Sequence, residues 1–133
     1  MVIDSSAILA ILFGESEAPR FLRALAGSER KLMSAVAQLE SSIVAQARKG
    51  EVGAKSYASL TAAAGIEVVA FDASQAEVAL DAWRRYGKGR HPAALNLGDC
   101  ATYALAAIAH EALLFQGGDF ARTDVAEFPR GDS

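Results

Sequence analysis

MVIDSSAILAIL (residues 1–12) sets two apolar runs on either side of a single carboxylate, Asp4, with no Gly or Pro to explain the interruption. Val2–Asp4 is short, β-branched and flanked by polar residues, which reads as a buried strand. From Ser6 to Phe13 the apolar spacing turns helical, and Gly14 ends it. A strand that stops on an acid and runs straight into a helix is a βα junction, and the rest of the chain repeats that alternation.

Working outward, Ser16 is a candidate cap for a helix with Pro19 in its first turn, running through Phe21, Leu22 and Leu25 to Gly27. Lys31–Met33 is a weak strand candidate. Ser34 then caps a helix through Val36, Leu39, Ile43, Val44 and Ala47, which Gly50 stops. The Ala-rich residues 52–64 read as helix, and Gly65 breaks them. IEVVAF (66–71) is the clearest strand pattern in the chain. Asp72 caps the next helix, paired with Gln75 in a capping-box manner, and that helix ends near Tyr86-Gly87. The loop KGRHPAALN leads into a helix from about Gly98 to His110; ALLFQ (112–116) is the last strand, followed by the loop GGDFARTD. Strands alternating with helices imply a parallel sheet covered on both faces. Right-handed crossovers place all the βα junctions on one edge, where ligands bind in open α/β sheets.

Composition bounds the function. The 133 residues suit one domain, 52% are apolar, and polar residues are interspersed, as in a globular protein. The start lacks the basic n-region of a signal peptide, and the longest apolar helical run, Ala104–Ala109, is far short of a membrane span. The lone Cys100 reads as a small core residue, since one thiol makes neither an intrachain disulfide nor a thiolate metal site. We therefore expect a soluble, cytoplasmic protein. FPRGDS at the C-terminus reads as a frayed tail, flexible from about residue 129 to 133. The net charge of −3 argues mildly against nucleic acid, unless the acids gather around a cation.

Four acids fall at comparable places: Asp4 after the first strand, Glu40 less than two turns into the Ser34-capped helix, Asp99 at the start of the helix in LNLGDCATYAL, and Asp119 after the last strand in LLFQGGDF. One such Asp is most simply a helix cap. Four at one edge repel unless a cation lies among them. An oxygen-only set selects Mg²⁺ or Mn²⁺ over zinc, and His91 and His110 are not spaced as a pair. Such a pocket suits in-line attack of activated water on a phosphodiester. The D-x-D of haloacid-dehalogenase phosphatases, the acidic pair and lysine of receiver domains, and the phosphate-cradling glycine motifs are missing.

VIDSSAILAIL, SAVAQLESSIV, RRYGKGRHPAALNLGDCATYALA and LLFQGGDFARTDV together resemble a PIN-domain protein, and more closely the VapC-type toxins of bacterial toxin–antitoxin modules. The resemblance covers nearly the whole chain and implies a three-layer α/β fold, residues 1–133 forming a single PIN domain with a central parallel sheet of four to five strands flanked by helices. It also implies a Mg²⁺- or Mn²⁺-dependent endoribonuclease held inactive by a small cognate antitoxin, as a homodimer and a toxin–antitoxin hetero-oligomer. Residue by residue it implies Asp4, Glu40, Asp99 and Asp119 as catalytic metal ligands, with a hydroxyl of Ser5 or Ser6 orienting Asp4. Where family members often carry F-K-G-[DE]-D-F, Gln116 and Gly118 here remove two charges beside the site, so Asp124 stays open as the alternative fourth acid. A nuclease acting on DNA or structured nucleic acid, and a weakly active binding module, are the competing readings.

The densest basic stretch, Arg84, Arg85, Lys88, Arg90 and His91, lies upstream of Asp99 and suits RNA phosphates. Tyr86 and Trp83 are candidates to stack bases, although Trp83 reads better as core. The early helices carry Ile8, Leu9, Ile11, Leu12, Phe21, Leu22 and Leu25, more apolar surface than one face needs; most of it suits the core and part of it an antitoxin groove.

Overall fold

The structure is a computed structural model that describes residues 1–130. In chain order the elements are β1 (Val2–Ile3), α1 (Ser5–Leu12), α2 (Ala18–Gly27), β2 (Leu32–Ser34), α3 (Ala35–Ala64), β3 (Glu67–Val69), α4 (Ala73–Tyr86), α5 (Leu97–Ala109), β4 (Leu113–Leu114) and a 3₁₀ turn at Phe120–Arg122. The four strands form one parallel sheet in the order β3-β2-β1-β4. The single-residue bridge between Leu113 and Glu127 adds a short rung beyond β4.

Period-2 alternation decides the layers. Val2, Leu32 and Leu113 point to one face and pack with Ala79, Ala82, Tyr103 and Leu105 of α4 and α5. Ile3, Met33 and Leu114 point to the other, against Ala7 and Ile8 of α1, Phe21 and Leu25 of α2, and Ala37 and Ala45 of α3. The result is a three-layer α/β/α arrangement. Most of the apolar excess in the early helices is therefore core; Leu9, Ile11 and Leu12 are half-buried and Leu22 is 46% exposed.

Three local readings need correction. IEVVAF yields only Glu67–Val69, and it is the outer strand of the sheet, with Val68 41% exposed. The inconspicuous Val2–Ile3 is central, paired on both sides. Ser16 does not cap α2: Glu17 occupies the N-cap without a side-chain bond, although Pro19 sits in the first turn as expected. The helix carrying Asp99 starts at Leu97, not Gly98, because Asn96 is its cap. At Gly50 the backbone leaves helical geometry (φ 58°, ψ −145°), dividing α3 as the sequence implies. The second half folds back on the first: a Cβ on Gly53 would lie 2.2 Å from the Ala45 carbonyl oxygen, and the Ser41 and Tyr57 hydroxyls bond at 2.6 Å.

Because β1 leads to β2 on one side while β4 lies on the other, the strand order reverses between β1 and β4. That switch point is where an open parallel sheet leaves a crevice beyond its carboxyl edge. Near the C-terminus, Phe128 donates its backbone N–H to Leu113 and packs half-buried on the α1–α3 side, so order extends into FPRGDS; residues 131–133 of the expected tail lie outside the described residues.

Candidate active site

Asp4 closes β1 and is the N-cap of α1, its Oδ2 accepting the Ser6 N–H at 3.0 Å. Only 4% of it is exposed, and burial pushes its carboxyl above the usual range; Ser6, Thr102 and the Ser5 backbone N–H offset this in part. The Ser6 Oγ accepts the Gln116 N–H at 2.9 Å, tying the start of α1 to the chain leaving β4. Of the two serines, Ser6 thus has its hydroxyl built into the switch point. Thr102, fully buried on α5 with its hydroxyl beside Asp4, is the residue the sequence reading missed. Its signal was present: it lies three residues after Asp99, on the same helical face.

Asp99 is the third residue of α5 and half of a capping box. Asn96 Oδ1 accepts the Asp99 N–H at 2.9 Å, and Asp99 Oδ2 accepts the Asn96 N–H at 3.0 Å. Its carboxyl is pushed up to about 6, first by burial and then by the charges of Asp4, Asp119 and Glu40. Glu40 is half-buried on α3, and its carboxyl is raised by burial and by Asp4. Its Oε1 would lie 2.0 Å from a Cβ on Gly98. Glycine at 98 is therefore what lets the Glu40 carboxylate lie against the first turn of α5. Asp119 is exposed, heads the 3₁₀ turn without a side-chain cap bond, and acts on Asp99 only through its charge.

Asp124 faces a different environment. It accepts hydrogen bonds from the Tyr103 hydroxyl and from Arg85 at 2.9 Å, which hold its carboxyl below the usual range. It is not among the charges acting on Asp4, Glu40 or Asp99.

The basic stretch divides in the same way. Arg85 is committed to Asp124, Tyr86 and Tyr103. His91 accepts the Ala93 N–H on Nδ1 and sets its ring edge-on against Tyr86. Arg84 and Lys88 are exposed and make no side-chain hydrogen bond or ion pair among the described residues, and Arg90 lies over the Trp83 ring at 4.9 Å. Trp83 is not core as read: it is 40% exposed on α4. Cys100 is buried, and burial pushes its thiol up to about 11.

Among the described residues no three His, Cys, Asp or Glu side chains close into a ready-made metal cage. Asp4 and Asp99 are instead held by helix-cap bonds. The donor set still fits a hard cation: it is all oxygen, half or more buried at three positions, and burial raises the carboxyls of Asp4, Glu40 and Asp99, with repulsion from neighbouring acids adding to it at Glu40 and Asp99. Mg²⁺ in particular keeps several waters and needs only one or two carboxylates.

The four-stranded parallel sheet between helical layers is matched by a known family: the PIN domain matches residues 1–126, and the chain belongs to that family. Within it the chain belongs with the VapC ribonucleases. It is 46% identical over 126 residues to a VapC ribonuclease of Mycobacterium bovis, covering 95% of this chain and 96% of that one. It is 47% identical over 126 residues to a ribonuclease VapC of Mycolicibacterium smegmatis, covering 95% and 98%. In structure it is similar to Mycobacterium tuberculosis VapC20, described as a sarcin–ricin-loop-cleaving toxin, with a TM-score of 0.77 at 18% identity over 96% of this chain and 97% of that one. A toxin–antitoxin complex from Klebsiella pneumoniae gives 0.68 at 19% identity over 90% and 89%.

Proposed function

We propose that this protein is a Mg²⁺- or Mn²⁺-dependent endoribonuclease, the toxin of a toxin–antitoxin pair, assembling as a homodimer and with a small cognate antitoxin in the cytoplasm. The kinship with VapC ribonucleases supports the reaction class. The absence of any helix long and apolar enough to cross a membrane among the described residues accords with a substrate met in solution. The observation that carries the metal-dependent reading is the gathering of Asp4, Glu40 and Asp99 close enough in one crevice to act on one another's charge, with no cationic side chain among the described residues offsetting them.

In this reading Asp4, Glu40, Asp99 and Asp119 would hold the cation. The bound ion would acidify a water and neutralise charge on the scissile phosphate. Asp4 is aimed by the Ser6 N–H, while Thr102 backs it from the α5 side. Glu40, lying against Gly98, would orient a water, and Asp119, exposed and free of its own turn, would accept a proton from it. Arg84, Lys88 and Arg90 steer RNA phosphates past the crevice; Arg85 and His91 act through the shape of the loop that carries them.

The test is cleavage of end-labelled cellular RNA by purified protein, with growth measured on induction with and without the co-expressed antitoxin. The reading expects cleavage that stops in EDTA, and growth arrest that the antitoxin relieves. Cleavage undiminished in excess chelator would contradict the metal; harmless expression of a folded, RNA-inactive protein would contradict the toxin.

A further inference from the structure

One residue bonds both ends of α1, and it stands where the chain leaves β4 for Asp119. At the first turn, the Gln116 backbone N–H donates to the Ser6 Oγ at 2.9 Å. At the far end, the Gln116 side-chain Nε2 donates to the Glu15 carboxylate. Glu15 is brought there by the way α1 stops. Gly14 takes the left-handed conformation (φ 65°), its N–H bonding the Ile11 carbonyl at 3.2 Å while the Glu15 N–H bonds the Ala10 carbonyl at 2.9 Å. That paired closure folds the residue after the glycine back along the helix. The amide carbonyl of Gln116 is buried without a donor among the described residues. A side chain that only filled this space would be more stable without such an orphaned oxygen. Turning the amide over would set that oxygen against the Glu15 carboxylate, so Glu15 fixes its orientation. Beyond Gln116 the chain is loosely held: a Cβ on Gly117 or Gly118 would meet nothing within 4 Å.

We propose that Glu15 and Gln116 are positioning residues of the site: their bond seats the Gln116 N–H on Ser6 and so turns the Ser6 hydroxyl toward Asp4. The inference rests on the metal-dependent ribonuclease reading above. A serine hydroxyl carries one proton and can accept while it donates. With its oxygen accepting from Gln116, that proton is left for the Asp4 carboxylate, whose charge the Ser6 hydroxyl and N–H both favour. Any residue at 116 would supply the backbone N–H; the side chain decides where that N–H stands. Phe115 is fixed in the core on one side, and the two glycines on the other give no support. The Glu15 bond therefore holds residue 116 on its loop side. Without it the N–H moves with the loop, the Ser6 proton can turn away, and Asp4 loses a donor aimed at it. Because Asp4 is a ligand in that reading, the slack shows as weaker metal binding.

Mn²⁺ is titrated calorimetrically into full-length Glu15→Ala, Gln116→Met and the double variant, and amide hydrogen exchange is followed in EDTA. Each single variant should bind Mn²⁺ about fivefold more weakly, the order of one hydrogen bond, and the double variant no more weakly than either. Glu15→Gln, which keeps an acceptor for the Gln116 amide, should recover most of the affinity. In metal-free Glu15→Ala the Gln116 amide should exchange about tenfold faster, with the α5 amides unchanged. A staple that served stability alone would loosen the core amides together and leave Mn²⁺ affinity where it was. On a Ser6→Ala background the Glu15→Ala loss should vanish; on an Asp119→Ala background it should persist. Unchanged Mn²⁺ affinity in folded Glu15→Ala overturns the proposal, and so does a loss that survives removal of the Ser6 hydroxyl. If Gln116→Met fails to fold, Glu15→Ala carries the same test from a half-buried position beyond the helix end. Wild-type protein that neither binds Mn²⁺ nor cleaves RNA overturns the reading beneath, and the proposal with it.

Discussion

Asp99 and Asp124 are the same residue type, and their surroundings drive them in opposite directions. Asp99 meets burial and three other acids, and its carboxyl rises to about 6. Asp124 meets a tyrosine hydroxyl and a guanidinium, and its carboxyl falls. The contrast teaches how to tell a functional carboxylate from a structural one in a site that holds many. An acid that folding has already paired contributes to stability; a group of acids left unpaired costs stability until something else neutralises it. On this argument we propose that Asp119, which bears on Asp99, serves the site, whereas Asp124 is held in the joint between α4, α5 and the 3₁₀ turn.

The largest effect that can break this comparison is on catalysis. Asp99→Asn should lower RNA cleavage by at least about a thousandfold, since several kcal/mol of charge stabilisation are lost. The same substitution should raise the melting temperature of the metal-free protein, read by differential scanning fluorimetry in EDTA, because a repelled charge has gone. A variant that loses both cleavage and stability would place Asp99 among the structural acids instead.

Gly98→Ala should come next. The new Cβ meets the Glu40 carboxylate, which must swing away while the α5 backbone stays. Cleavage should fall about tenfold to a hundredfold with the circular dichroism spectrum unchanged. Wild-type activity in Gly98→Ala would show that the position of Glu40 is immaterial.

Asp119→Ala should weaken Mn²⁺ binding and reduce cleavage, by less than Asp99→Ala. Asp124→Asn should leave Mn²⁺ affinity alone and cost about 1 kcal/mol, a few degrees in melting temperature, since the Arg85 pair is largely exposed. Calorimetric titration of both variants decides between them, and the reverse pattern would reassign the fourth acid.

The smallest effect is in pH, and its two halves have opposite signs. A carboxyl raised in the fold contributes stability that is complete below its unfolded value, 3.8 for Asp99, and lost as pH climbs through about 6. Metal-free protein should therefore gain stability from the site on going from pH 7 to 5, and Asp99→Asn should flatten that gain. Asp124 is lowered, so its contribution is present above 3.8 and is lost only as pH falls through its depressed value. Melting curves of the two variants across that range separate the windows.

The same contrast explains what the sequence disclosed. The four acids were legible because each follows a strand or opens a helix, and chain topology then carries them to one edge. The PIN-like order of strands and helices was legible for the same reason. What misled was hydrophobicity taken as burial: IEVVAF is more apolar than VI, yet it forms the outer strand, while Val2–Ile3 is central through pairing on both sides, which no local pattern records. Trp83 was read as core on its size alone, yet it stands at a cavity mouth. Asn96 was readable in N-L-G-D as a cap with an acid three residues on, a pattern that also explains how Asp99 is aimed. The Asp124–Arg85–Tyr103 joint was not readable, because its members lie up to 39 residues apart and meet only through packing.

The account stands most directly on one measurement: Mn²⁺ titrated calorimetrically into wild-type, Asp99→Asn and Asp124→Asn proteins, with RNA cleavage followed at each metal concentration. The account predicts that cleavage rises in step with Mn²⁺ occupancy in wild type and in Asp124→Asn, and that Asp99→Asn neither binds the ion nor cleaves. Cleavage at full rate without bound metal, or unchanged Mn²⁺ binding in Asp99→Asn, would contradict it.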